Sequence, residues 1–350
     1  MKRKANYELL RIISMMMIVI LHYFSHGGGE LQIANGTLGY YFARIIIATA
    51  QVGVNCFVLL SSYFLIEKSF SLSRVINAVL SVFFYSVLCL GLYILLSGNQ
   101  VGIREIVYSL FPITSSQYWF MTQYVLLLFF SPLLNVAIAN MPEKTLYKIT
   151  ILFVVIFSLI PTILPWAKSI SSGKNVAWFI TLYLIAACLK KQNSKVLSIN
   201  PIYIFFLLSF CTVVLDELFI FLAKGIGGNW STFLFYNNSP TIAFASVMLM
   251  VWAKKIEIGS KLSKCIIGLS KGVFSVYLLH DNPITREMMW QQIGKLFIPG
   301  EWGFILNIFI SIVIIFTVSL CVEFIRTKLF HCLKIGKGID SITSRLHQLG

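Results

Sequence analysis

Long apolar runs broken by short polar turns set the pattern of this chain. Ten runs stand out, at 8–26, 41–65, 75–96, 119–139, 147–165, 176–190, 201–222, 239–254, 270–285 and 302–325. Most come close to or exceed the roughly 20 predominantly apolar residues that an α-helix needs to cross a bilayer core; the sixth and ninth are the weakest. None keeps the two-residue alternation of a barrel strand, and backbone polar groups in lipid must bond within their own segment, so each run predicts a helix. No linker, low-complexity stretch or internal repeat divides the sequence. The expected fold is all-α: a polytopic membrane helical bundle of about ten transmembrane helices, forming a single domain over residues 1–350.

Charge gives this span count its direction. With the N-terminus in the cytoplasm, the inner segments hold twenty basic residues, among them Lys2, Arg3, Lys4, Lys68, Arg74, Lys190, Lys195, Lys261, Lys264 and Arg345. The outer segments hold six, namely Arg104, Lys168, Lys174, Lys224, Arg286 and Lys295, while Arg11 and Arg44 lie in or beside spans. Cytoplasmic loops carry the Lys/Arg excess, so both termini are expected inside the cell. The start, Met1-Lys-Arg-Lys4 followed by an apolar stretch, resembles a signal peptide. Glu8, Arg11 and His22 interrupt it and no small-residue cleavage site follows, so a retained first span is expected.

Composition supports the class. The chain is 58% hydrophobic and 12% charged, against about 25% charged residues in a soluble domain. The net charge of +15 sits in short loops, where it serves orientation and contact with anionic lipid, and nucleic-acid binding is disfavoured. Seven cysteines show no CxxC and no metal-ligand spacing with histidine, so neither a metal site nor a disulfide framework is expected. The larger outer loops are 27–40, 97–117, 223–238 and 286–301; Asn35 and Asn229 begin short glycosylation sequons. No P-loop, GxSxG or HExxH sequence is present, which leaves ATPase, serine-hydrolase and metalloprotease readings without support.

Ionisable residues inside spans are functional candidates by default. In the first run, Arg11 and His22 are eleven residues apart. At 100° per residue this is three turns plus about 20°, so both share one helix face, about 16 Å apart along the axis. Met15 and Ile18 lie between them. The stripe suits a long ligand with an anionic head near Arg11, at the cytoplasmic mouth, and a reactive end near His22, in the outer half. Histidine exchanges protons near neutral pH; the alternatives are an interhelical hydrogen bond for His22 and snorkelling for Arg11. In the run 270–283, Ser275, Tyr277 and His280 punctuate apolar sequence before Asp281-Asn-Pro283, which either ends the helix with local caps or forms a second part of a site. The turn with Glu67, Lys68 and Arg74 either binds phosphates or obeys the charge rule. Gln117-Tyr-Trp-Phe-Met-Thr-Gln123 opens the fourth span with ordinary interfacial aromatics.

Several blocks together resemble a known family. Glu8-Leu-Leu-Arg11 with His22, Asn55-Cys-Phe-Val-Leu-Leu-Ser-Ser-Tyr-Phe-Leu65, Tyr118-Trp-Phe-Met with Ser131-Pro-Leu-Leu134, and Ser275-Val-Tyr-Leu-Leu-His280 occur in the order seen in membrane acyltransferase-3 proteins. Ser62 and Val276 stand where that family usually has glycine. The resemblance runs from residue 6 to about 325. It implies a cell-membrane O-acyltransferase that moves an acyl group, most often acetyl, from acyl-CoA to a hydroxyl of a cell-surface or lipid-linked glycan. Acetyl-CoA would be a substrate, with no permanently bound cofactor. Arg11, with Arg74 and Lys68, would hold the CoA phosphates; His22 would be the general base or a transient acyl carrier; Tyr277 or His280 would stabilise the oxyanion. The competing readings are a transporter or flippase of a lipid-linked sugar, a non-catalytic scaffold in polysaccharide assembly, and an enzyme using a different acyl donor.

Overall fold

A computed structural model describes residues 3–29, 33–98, 100–164, 172–191, 199–223 and 233–348. Lys2, Lys168, Lys195, Lys224 and the Asn229 sequon lie outside the described residues, as does the side chain of Arg345. Among the described residues there is no strand. The protein is an all-α polytopic membrane protein.

The chain opens with α1 (Ala5–His26). One long span is then broken in its middle into α2 (Leu38–Ala50) and α3 (Gly53–Leu65). Thr37 caps α2 by accepting from the Tyr40 N–H, and Ser71 caps α4 (Leu72–Ser97) through the Arg74 N–H. Gly98 ends α4 in the left-handed conformation, φ 66°. Two helices follow, the short α5 (Ile103–Leu110) and then α6 (Trp119–Asn140). Next, α7 (Glu143–Val154) passes through a widened π turn at Val155–Leu159 into α8 (Ile160–Ile163). The second half contains α9 (Val176–Lys191), α10 (Pro201–Ala223), α11 (Pro240–Lys255), α12 (Ser260–Ser270), α13 (Val273–His280), α14 (Arg286–Gly294), α15 (Gly303–Cys332) and α16 (Ile335–Gln348).

Eight of these stretches are long and apolar enough to cross a membrane, counting α2–α3, α7–α8 and α12–α13 as one each. The expected runs 176–190 and 239–254 are α9 and α11, of 16 residues each, or about 24 Å long. Both are enclosed by protein: Trp178, Phe179, Leu182, Ile242, Ala245 and Leu249 are buried. The ninth expected run is displaced. Its helix begins at Ser260, ten residues earlier than the apolar pattern suggested, and ends at His280. Lys261 and Lys264 made Ser260–Ser270 look like a loop, yet it is an amphipathic helix that feeds into α13.

The first helix is the axis of the bundle, packing against α2, α3 and α11–α15. Lipid tails are as apolar as leucine, so helix association in the membrane relies on close packing and interhelical hydrogen bonds. Both are present. A Cβ at Gly53 would fall 2.8 Å from the Ser14 carbonyl oxygen and 3.1 Å from the Met17 Cβ, so glycine permits the close approach of α3 to α1. Buried Asn55 donates to the Asn237 carbonyl at 2.7 Å and to the Ser246 hydroxyl at 3.2 Å, and accepts from Trp178 Nε1 at 3.0 Å. One side chain thus joins α3, α9 and α11.

Candidate functional site

His22 lies one turn before the end of α1, and His280 is the last residue of α13. The two helix ends meet there: His22 Nδ1 is 2.8 Å from His280 Nε2. The His280 Nδ1 lies 2.5 Å from the Val276 carbonyl oxygen. A carbonyl only accepts, so His280 Nδ1–H is the donor, and neutral His280 then has a bare Nε2 lone pair. That lone pair accepts from His22 Nδ1–H. The proton order is fixed by this chain of partners and leaves His22 Nε2 unprotonated, the form needed in a base or nucleophile. Both ring nitrogens of His280 are occupied.

Around the pair, Asp281 Oδ1 lies 3.9 Å from His22 Nδ1 and 3.0 Å from the Arg286 guanidinium. His22, His26 and Asp281 bring three possible ligand atoms within 4.8 Å of one another. His280 and Arg286 already engage two of these groups. Met15, Ile18, His22, Phe57, Phe120 and Tyr277 are among the residues lining a narrow cavity of about 30 Å3, room for about one water. The Tyr277 hydroxyl is buried and makes no hydrogen bond of normal geometry among the described residues.

The turn after His280 is held from outside. Asn282 donates to the Tyr118 hydroxyl at 2.7 Å, and that hydroxyl donates to the Leu278 carbonyl at 2.8 Å. The Asn282 carbonyl oxygen accepts from the Ile284 and Thr285 N–H groups at 2.9 and 3.3 Å. This explains why Asp281-Asn-Pro283 stops the helix with His280 in place.

Arg11 occupies the other end of the same face. Its guanidinium sits 5.9 Å from the ring centre of Phe57, whose ring also lines the cavity at His22. Its Nε is 3.2 Å from the Glu8 carboxylate, and its terminal nitrogens make no hydrogen bond among the described residues. One turn earlier, Tyr7 packs on Tyr63 and Phe64, placing the end of α3 beside the start of α1. Asn135 ties down the turn after α3 by donating to the Leu65 and Lys68 carbonyls, at 3.0 and 3.1 Å. Lys190 adds a bond to the Tyr63 carbonyl at 2.9 Å and an ion pair with Glu67 at 3.0 Å. Lys68 is exposed, Arg74 half-buried, and neither pairs with a carboxylate among the described residues. The geometry therefore joins His22, His280 and Tyr277 in one cluster, links Arg11 to it along the stripe, and keeps Lys68 and Arg74 in the basic turn.

A profile of the acyltransferase-3 family, described as an acyltransferase domain, matches residues 4–324. The chain belongs to the acyltransferase-3 family. No curated protein and no solved structure matches it. Ser62 and Val276, the two departures from glycine, are both fully buried in this acyltransferase, and Val276 supplies the carbonyl that orients His280.

Sequence reasoning missed a second intramembrane ion cluster in the acyltransferase. Arg44 on α2 pairs with buried Asp216 and lies 3.7 Å from Glu217, both on α10, and packs over the rings of Phe235 and Tyr40 at 4.3 and 5.7 Å. The signal was available: Asp216-Glu217 are two adjacent acids inside an otherwise apolar run, and such groups in a span need a partner.

Proposed function

We propose that this membrane acyltransferase moves an acetyl group from acetyl-CoA, supplied from the cytoplasm, to a hydroxyl of a cell-surface or lipid-linked glycan at the cell membrane. The observation that carries the reading is the His22–His280 hydrogen bond, with His280 tied to the Val276 carbonyl, because it leaves His22 Nε2 free as a base. At about 30 Å3 the cavity holds about one water and by its volume sets no preference among acyl groups. Even acetyl enters only as flanking aromatic side chains such as Phe57 and Phe120 move.

In this reading the CoA phosphates meet the open guanidinium of Arg11, with Arg74 and Lys68 in the adjoining turn. Arginine suits phosphate because its fork makes paired, charge-assisted hydrogen bonds. The pantetheine arm follows Met15 and Ile18 to bring the thioester beside His22. His22 Nε2 takes the acceptor hydroxyl proton as the oxygen attacks the thioester carbonyl carbon. His280 and Asp281 support the imidazolium through its Nδ1 side. Tyr277, whose buried hydroxyl lines the cavity beside His22, donates to the carbonyl oxygen as it becomes an oxyanion. The intermediate then collapses, the C–S bond breaks, and the proton on His22 passes to the departing CoA sulfur. His280 acts here as a positioning residue, because neither of its nitrogens is free.

The test is acetyl-CoA turnover by protein in nanodiscs, following CoA release and label on glycan, for wild type and His22→Ala. Label on glycan that depends on His22 is expected. Full transfer by a folded His22→Ala protein would remove the base from the mechanism. Glycolipid movement across vesicles without acyl-CoA would favour a flippase.

A further inference from the structure

Two neighbouring cavities on the outer side share lining residues and are opposite in character. The larger, about 1080 Å3, is lined by polar side chains including Arg104, Ser116, Gln117, Gln291 and Gln292, with the tyrosines Tyr93 and Tyr108. The second, about 460 Å3, is almost wholly apolar and runs between α4 and α15, with Leu92, Leu279, Met289, Ile315 and Val318 in its walls. Leu96, Met288 and Gln292 line both. Leu96 and Val318 are exposed on the helix surface that faces lipid.

Resting on the acyltransferase reading above, we infer that these cavities form one acceptor site for a lipid-linked saccharide, with the sugar in the polar groove and the chain in the apolar one. Paired amides and hydroxyls beside tyrosine rings match the alternating hydroxyls and C–H faces of a sugar. Arg104 lies 5.1 Å from the ring centre of Tyr108, and Glu105 and Glu287 line the same groove, so one cation and two carboxylates face the saccharide. The apolar groove commits the occupant to a hydrocarbon chain attached to the same molecule, since the two cavities share walls. A free oligosaccharide would use only half of the site.

The position relative to His22 supports this assignment. On α13 and its turn, Tyr277 and Asp281 face the catalytic cavity while Pro283 and Ile284 face the polar groove. On α6 and its approach, Trp119 and Phe120 face the cavity while Gln117 faces the groove. Tyr118 and Asn282, hydrogen-bonded to each other, form the partition. Only one residue of each segment separates the groove from the reacting atoms. Backbone strain marks the same rim: Ser116 has φ 53°, a conformation that serine rarely adopts.

The test uses full-length protein in nanodiscs with a polyprenyl-linked disaccharide carrying a photoreactive diazirine near the head of its chain. Cross-links are mapped by mass spectrometry and acceptor kinetics are measured in parallel. Labelling of α4, α14 and α15 is expected, competed by unlabelled lipid-linked disaccharide far better than by free disaccharide. Leu92→Trp, at the lipid-facing groove, is expected to cut labelling and raise acceptor KM by about tenfold while donor KM holds. Gln291→Ala with Tyr108→Ala should raise acceptor KM comparably. Labelling spread around the whole lipid-facing perimeter, equal labelling by a diazirine phospholipid, or a Leu92→Trp protein with wild-type labelling and KM would overturn the inference. If wild type transfers no acyl group to any glycan, the acyltransfer-to-glycan reading fails, and the cross-linking map still decides whether the groove holds a lipid-linked saccharide.

Discussion

Removing His280 should disarm His22 without touching the donor. His22 Nδ1 loses its 2.8 Å acceptor in His280→Ala. The freed Nδ1–H is then left with only Asp281, 3.9 Å away, and the ring is no longer held with Nε2 bare. In the transition state His22 becomes an imidazolium, so the lost bond is charge-assisted. Such bonds contribute about 1.5–3 kcal/mol, and about 1.4 kcal/mol is a factor of ten. The expected loss in kcat is therefore about 10- to 100-fold, with donor KM unchanged. His280 is fully buried, so truncation also leaves a cavity. His280→Gln controls for this, because its amide oxygen can accept from His22 Nδ1–H and should restore part of the rate.

The assay is acetyl-CoA turnover with glycan labelling in nanodiscs for wild type, His280→Ala, His280→Gln, His22→Ala and the double variant. General-base help is typically about 10²–10⁴-fold, so His22→Ala should lose at least that much. Residues acting as one unit are strongly non-additive, and the double variant should be no slower than His22→Ala alone. A His280→Ala protein at the wild-type rate, or a double variant slower by the full product of the single effects, would refute the coupled pair.

Arg11→Ala should raise donor KM about tenfold through loss of charge-assisted phosphate contacts, read from turnover against acetyl-CoA concentration. Tyr277→Phe should lower kcat by about 10²–10³ with both KM values nearly constant if its hydroxyl meets the oxyanion; a wild-type kcat would remove it. Gly53→Leu should cost about 1–3 kcal/mol by forcing α3 away from the Ser14 carbonyl, visible as a lower Tm in detergent. Asp216→Leu should destabilise by about 3–5 kcal/mol because Arg44 is left without its main partner, while adding Arg44→Met should recover most of the loss. Thermal melts of the three proteins check the last pair.

Helical periodicity made one part of the site legible. Arg11, Met15, Ile18 and His22 share a face by spacing alone, and Met15, Ile18 and His22 do line one cavity with Phe57, which also carries Arg11 over its ring. The partnership of His22 with His280 was beyond any local pattern, because 258 residues separate them and only the packing of α1 on α13 joins them. The run 270–285 was placed ten residues late because Lys261 and Lys264 break the apolar pattern of α12, although only one face of that helix requires apolar residues. Asp216 and Glu217 were hidden for the opposite reason: the apolar residues around them dominate the run. The run at α9, one of the two weakest in the sequence, is short because its surroundings are largely protein, so length matched to the bilayer is not imposed on it.

The meeting of two helix ends also bears on why a histidine pair suits this place. His22 lies in the last two turns of α1 and His280 ends α13. The last carbonyls of a helix lack intrahelical partners and carry partial negative charge, which favours a cation nearby. An imidazolium formed at His22 during proton transfer would therefore gain from both helix ends as well as from Asp281. Arg286 opposes part of that gain, because it neutralises Asp281 at 3.0 Å. In the proposed mechanism this arrangement leaves polarity aimed at a charge that would form only as the acyl group moves. A carboxylate in the same position would start charged in an apolar cavity, at a large desolvation cost. On the proposed mechanism, histidine would avoid that cost before the reaction and use the helix ends during it.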